Sequence, residues 1–281
     1  MWRLRALMRA VDVRPVESVE RIRLVNIVVC MKETPSITAV KRFTSDMRLE
    51  RRKEDAEMNP FDEYAIEEGL RQQEKHGGQV TVLCMGPATA TDNIRKALAM
   101  GADRGALVSD PALEGSDAIG TARVLAAALK KLGFDLALFG SAAADSYGGV
   151  VPAAVAELLG QPLLSNASKL EIADSARIER AAESGYQVAE AALPALVSVI
   201  QTINIPRYPT MKGIMGSKKK PIDTFTLADL GLDAAQVGVA GAKERAISAS
   251  PVDTQRKGEI FNGNDGAAER IVAFLVEQKV L

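Results

Sequence analysis

The sequence predicts an α/β fold: a doubly wound, mainly parallel sheet carrying a β-rich extension and ending in a C-terminal tail. Two observations predict it. Short, nearly continuous apolar runs alternate with amphipathic segments of roughly ten to sixteen residues, which implies right-handed crossovers between parallel strands. After about Leu163 the alternation gives way to strand-like pieces without intervening helices. Sheets of this kind bind ligands at the carboxyl ends of their strands.

The elements follow in order from Leu24. LVNIVVCM, ending at Met31, is β-branched and apolar throughout, the pattern of a strand buried on both faces. A charged stretch from Lys41 to Glu57 has no periodicity and is too long for a tight connection. Asn59-Pro60-Phe61 interrupts the chain. Asp62 to about Lys75 then reads as a helix with Ala65, Ile66, Gly69 and Leu70 on one face, closed by His76-Gly77-Gly78. Pro60 restricts Asn59 to extended geometry, and Asp62 suits an N-cap or first-turn acid. QVTVLCMG is the second strand, Ala88 to Met100 the second helix, and ALVSD a short strand. Asp117 to Leu132 reads as a helix, Phe134 to Gly140 as another buried strand, and a further helix begins near Val150. IERAAESGYQVAEAALPALVSVIQ reads as two or three extended segments. From about Asp233 come the Gly/Ala-rich VGVAGA, a polar stretch, and a final helix from Asp265 to Gln278. The expected organisation is an extension over 1–23, an α/β domain over 24–232 and a tail over 233–281.

Composition narrows the function. In 281 residues, 35 basic side chains face 36 acidic ones, so the net charge of −1 gives no global attraction to nucleic acid or an anionic membrane. The longest apolar runs, such as Ala191 to Ile200, are about half a transmembrane span. Cys30 and Cys84 end apolar strands, which favours buried reduced thiols and a reducing compartment over a disulfide or zinc site. Residues 1–23 contain six arginines but little serine, and acquire Asp12, Glu17 and Glu20. They read as a transit peptide, a surface extension or an upstream start. The expected location is a bacterial cytoplasm, or the mitochondrial matrix if that segment is a transit peptide.

Three segments fall at strand carboxyl ends: Cys30-Met31-Lys32, Met85-Gly86-Pro87 and Gly140 to Val151. In the last, a buried strand leads through small residues into a helix, so free amides and the positive helix end would face an anion such as a phosphate. Gly148 and Gly149 would let the backbone approach closely. The run is neither a P-loop nor GxGxxG, and an ordinary strand-to-helix turn is the alternative. INIPRYPTMKGIMGSKKKPI, 203–222, has prolines and glycines that disfavour regular structure, with Met211, Ile214 and Met215 beside the basic run Lys218 to Lys220. It suits transient docking on varied partners, or is a solvated loop with its methionines tucked inward. His76 stands alone at a helix end and reads as solvated. Metal-ligand spacing, a nucleophile elbow and a cysteine motif are all absent from the sequence, so chemistry would come from a bound cofactor.

Together these residues resemble the beta subunit of the electron transfer flavoproteins. The likeness spans about Leu24 to Leu232 and rests on VCMKETP, MNPFDEYAIEEGLR, CMGPATATDNIRKALAMGADRG, the Gly140 loop, LPALVSVI, and IPRYPTMKGIM followed by lysines. Ile178 to Ser198 also looks like the family signature, with Ser184 where glycine or an acid is usual and Ala189 where a branched aliphatic is. The resemblance implies an adenine nucleotide alpha hydrolase-like domain paired with an alpha subunit, on which the 233–281 tail would pack. That heterodimer holds FAD mainly on the alpha subunit. It carries electrons from acyl-CoA dehydrogenases or related flavin dehydrogenases to a quinone reductase. The beta subunit holds AMP or, in bifurcating members that oxidise NADH, a second FAD. By position the adenylate site would use Cys30, Asn59, Pro60, Phe61, Asp62, Met85, Gly140, Ser141, Asp145, Ser146, Tyr147, Gly148, Gly149, Val150 and Val151. Phe61 would also approach the alpha subunit's flavin. Arg207, Tyr208 and Met211 would dock the partner, Met211 as the apolar anchor. One departure is YGGVVP, 147–152, where many members have Thr-Ala-Gln-Val-Gly-Pro. A stand-alone nucleotide-binding signalling protein is the reading from another class.

Overall fold

The computed structural model describes residues 24–248, 250 and 266–281; the expectations for 1–23 and for the polar stretch over 251–265 lie outside the described residues. One compact unit ends at Ala246 and a second begins at Ile247.

The first unit runs β1 (Val25–Met31), β2 (Glu33–Pro35), β3 (Ala56–Met58), α1 (Pro60–His76), β4 (Gly78–Met85), α2 (Thr91–Met100), β5 (Arg104–Val108), α3 (Ala118–Leu132) and β6 (Leu136–Gly140). It continues with α4 (Val151–Leu159), β7 (Leu163–Ala167), β8 (Lys169–Ile172), β9 (Ser175–Ala182), β10 (Gly185–Ala192), β11 (Ala195–Val199), α5 (Met211–Ser217), β12 (Ile222–Phe225) and α6 (Gly238–Gly241). The second unit contains α7 (Ala267–Glu277), whose Ile271, Val272, Phe274 and Val276 are exposed.

Seven strands form the main sheet in the order β12-β5-β4-β1-β6-β11-β7, and every pairing in it is parallel. The central strand β1 shows why the fold is layered. Val25, Ile27, Val29 and Met31 pack into a core with α1 and α2, while Val28 and Cys30 pack into another with α3 and α4. Alternate side chains of one strand thus bury in opposite directions, each large aliphatic contributing about 1.5–3 kcal/mol. The β-rich extension is the antiparallel sheet β10-β9-β8, inserted between β7 and β11.

The chain steps from β1 to β4 to β5 on one side, then crosses to β6 on the other, so the switch point lies between β1 and β6. Register sets the strand ends level there: Met31 pairs Cys84, and Cys30 pairs Phe139.

Several features differ from the sequence reading. The 41–57 stretch contains a bridge between Phe43 and Leu49 and ends in β3, paired with β2. Within 203–222, expected to lack regular structure, α5 forms and β12 adds the sheet edge beside β5. Thr210 caps α5 by accepting from the Gly213 amide at 3.0 Å. A Cβ on Gly213 would sit 2.3 Å from the Ala99 carbonyl oxygen, so glycine lets this poor helix former dock tightly on α2. His76, expected in solvent, is half-buried. VGVAGA packs against its own domain: Val237 is buried, and the Gly238 amide donates to Ser116 Oγ at 2.8 Å.

Candidate functional site

The site is built where β1, β4 and β6 end. Gly140 closes β6 directly under the first turn of α1, and a Cβ there would meet Asp62 Oδ1 at 2.5 Å and the Phe61 carbonyl carbon at 2.7 Å. Only glycine permits this approach. The polar side chain of Asn59 is the second device. It leaves the helix end uncapped and turns instead to the loop after β6, where Nδ2 donates to the Ala142 carbonyl at 2.8 Å and Oδ1 accepts from the Ala144 amide at 3.0 Å. Its own amide donates to the Lys32 carbonyl at 2.9 Å. One buried asparagine, through its side chain and its backbone amide, therefore ties its own segment to the ends of β1 and β6. Replacing it with an apolar residue would strand buried backbone groups.

Asp62 is a first-turn acid, not the cap. Its Oδ2 accepts from the Lys32 amide at 2.8 Å. Burial pushes its carboxyl up to about 7, against the lowering pull of the Lys32 amide, Asn59 and the Gly140 amide. Beside it, burial also raises the Cys30 thiol, with Asp62 adding to the shift, and takes Cys84 to about 12. Both cysteines are free and buried, so at neutral pH they are protonated thiols and poor nucleophiles.

Asp145 anchors the other side of the loop. It accepts from Lys32 Nζ at 2.8 Å and from Arg51 Nη2, with its side chain only 1% exposed. Burial pushes the carboxyl up, but Lys32 and Arg51 together hold it below its ordinary value. Lys32 and Arg51 were not assigned to the site by sequence. Lys32 falls at a strand carboxyl end, but the only signal for Arg51 is its place in a charged stretch.

Beyond Asp145 the loop opens outward. Tyr147 adopts φ 50° and Gly149 φ 64°, and residues 146–150 are exposed. No side chain caps α4. A Cβ on Gly148 would meet nothing within 4 Å, and one on Gly149 only the Ser141 carbonyl oxygen at 3.8 Å, so a ligand has room against the backbone. Phe61 packs edge-on to Tyr147, ring centroids 5.7 Å apart at 83°. The residues assigned from sequence thus divide. Cys30, Asn59, Asp62 and Gly140 form the buried floor; Phe61, Tyr147 and 148–151 form the open rim; Met85 is half-buried at the end of β4.

The 203–217 segment follows β11 and contains α5. Tyr208 and Met211 are exposed, whereas Arg207 turns inward to Glu67 and Glu74. The basic run also divides: Lys218 and Lys219 are exposed, but Lys220 Nζ donates to the carbonyls of Leu98, Gly101 and Ala102 at 3.0, 3.1 and 2.6 Å, capping α2.

Residues 46–230 match the family model described as "Electron transfer flavoprotein domain". The chain belongs to the electron transfer flavoprotein family. Its relatives carry the name electron transfer flavoprotein subunit beta. That of Mycobacterium tuberculosis is 39% identical over 267 residues, covering 92% of this chain and 100% of the relative. The Thermoanaerobacterium thermosaccharolyticum protein is 38% identical over 241 residues, covering 85% and 93%. That of Bacillus subtilis is 42% identical over 178 residues, covering 63% and 69%. Among the described residues no group of three or more metal-ligating side chains occurs. No helix among them is long and apolar enough to cross a membrane.

Proposed function

We propose that the chain is the beta subunit of a heterodimer, in which it binds AMP at the β1/β6 switch point and presents the 205–215 surface to flavin dehydrogenases. The alpha subunit would hold FAD, the group that accepts and passes on electrons, and a quinone reductase would receive them. The observation that carries the adenylate assignment is the uncapped start of α4 behind the open Gly148–Gly149 turn.

Each residue then has a task. The amides at 149–151 and the positive end of α4 would hold the phosphate, replacing the hydroxyl and amide that YGGVVP lacks. Asn59, Gly140 and Asp62 keep floor and loop in register. Asp145 holds Lys32 and Arg51 in place at the loop base, and the three together leave one net positive charge that would add to the backbone dipoles facing the phosphate. Phe61 and Tyr147 supply an apolar edge that faces outward, toward the alpha subunit and its flavin. Of the 233–281 tail, 237–242 packs on its own domain, so α7 would supply the apolar face that packs on that subunit.

The test is to co-express the chain with its alpha subunit, denature the purified complex and quantify the released nucleotides. One flavin and one AMP per heterodimer are expected. Two flavins with NADH oxidation would replace this reading with the bifurcating one. A stable monomer with affinity for ATP would favour the signalling alternative, and a complex free of adenylate and flavin would overturn the assignment.

A further inference from the structure

We propose that Arg207 is a positioning residue, a pin that holds the apolar 205–215 face in one orientation for a dehydrogenase without itself touching the partner. This rests on the docking reading above.

The guanidinium is already committed. Nε donates to Glu67 Oε2 at 2.7 Å and Nη2 to Glu67 Oε1 at 3.0 Å; Nη1 reaches Glu74 Oε1 at 2.6 Å and Nη2 reaches Glu74 Oε2 at 3.2 Å. The Arg207 amide adds a bond to Glu67 Oε2 at 3.1 Å. Four of the five side-chain N–H donors are thereby used. The Glu67 side chain is 7% exposed, so its carboxylate oxygens take their hydrogen bonds from this partner and not from solvent.

Neighbouring contacts tie the same segment to α1. Asn204 Nδ2 donates to the Tyr64 carbonyl at 3.0 Å and to Glu68 Oε2 at 3.1 Å, and Arg71 reaches the Ile203 carbonyl at 3.3 Å. At the far end, Arg95 donates to the carbonyls of Ser217 and Lys220, tying the end of α5 to α2. Between these two anchorages Pro206 and Pro209 restrict the residues before them to extended geometry. There Ile205, Tyr208, Met211 and Met215 are 89%, 93%, 76% and 69% exposed. Asn204 and Arg207 are thus bound to α1, while the large apolar side chains between the anchorages point out. Such a surface is ordered before a partner arrives, so the cost of ordering it does not fall on binding.

The experiment compares the heterodimer with Arg207→Ala, Arg207→Lys and Met211→Ala variants, reading hydrogen exchange of the 204–216 amides and steady-state electron transfer from a flavin dehydrogenase. Arg207→Ala should speed exchange in that segment about tenfold and raise KM for the heterodimer about tenfold, with kcat and nucleotide content unchanged. Arg207→Lys, which keeps the charge and part of the bonding, should recover part of both effects. A rise in KM without faster exchange would show that Arg207 contacts the partner and would overturn the proposal, as would unchanged exchange and unchanged KM. If Met211→Ala leaves transfer unaltered, the docking reading itself fails, whatever exchange shows, and the proposal falls with it.

Discussion

Two neighbouring parallel strands, β6 and β11, pair at Gly140 and Val199, and each feeds a connection that leads to a helix. The two connections solve the same problem in opposite ways. After β6, the chain spends one buried Asn59 and one buried Asp145 to fix its base, then leaves the start of α4 uncapped and open. After β11, Thr210 caps the helix and Arg207 and Asn204 bind the chain inward to α1. The first leaves backbone donors free, which suits an anionic ligand; the second consumes its polar groups and exports side chains, which suits a protein partner. Both rest on α1, whose first turn forms the site floor and whose middle carries Glu67 and Glu68.

The largest break should come from Gly140→Ala. Its Cβ would meet the backbone of Phe61, which has no flexible end to give, so α1 must shift. We expect a loss of roughly 3 kcal/mol and of bound adenylate, seen as a lower melting temperature and an empty nucleotide fraction. Exchange at 204–216 should also rise, since α1 carries both regions; no change there would separate the two connections.

Asp62→Asn should act in the other direction. A carboxyl raised to about 7 in the fold, against about 4 unfolded, destabilises the folded state increasingly as pH climbs between those values and by a constant amount above them. The asparagine oxygen still accepts from the Lys32 amide but carries no titration. The variant should therefore gain on the wild type by about 2–3 kcal/mol between pH 5 and pH 8, read as a widening difference in melting temperature. Parallel pH profiles would mean that Asp62 does not titrate in this range.

The smallest effects sharpen the contrast at the helix starts. Thr210→Ala should cost about 1 kcal/mol and leave nucleotide content alone. Val150→Asp, which places a carboxylate at the positive end of α4, should barely change stability but reduce adenylate retention, because that carboxylate would occupy the anion's place. Full retention in that variant would remove α4 from the site.

Much of the site was legible because its signals are local. Asn59-Pro60-Phe61, the Gly140 end of a buried run and Gly148-Gly149 each mark a backbone that must turn or approach closely, and all of them lie at the β1/β6 switch point. Arg51 was not legible, since its partner Asp145 is 94 residues away and nothing near Arg51 announces it. The 203–222 segment was misread as irregular for the same reason. Two glycines give α5 little helical propensity, and its stability comes from packing on α2 through Gly213.

By itself the sequence determined the order of strands and helices, their two-sided burial, the family, and which loops lie at the strand ends. Hydrophobic periodicity and turn chemistry act over a few residues and can be read there. Only the tertiary structure decided where the charges go. It paired Arg207 with Glu67 and Glu74, sent Lys220 to the end of α2, and made Asn59 a clamp on the loop after β6. Those choices depend on partners about 80 to 140 residues away, brought within hydrogen-bonding distance by the parallel sheet alone.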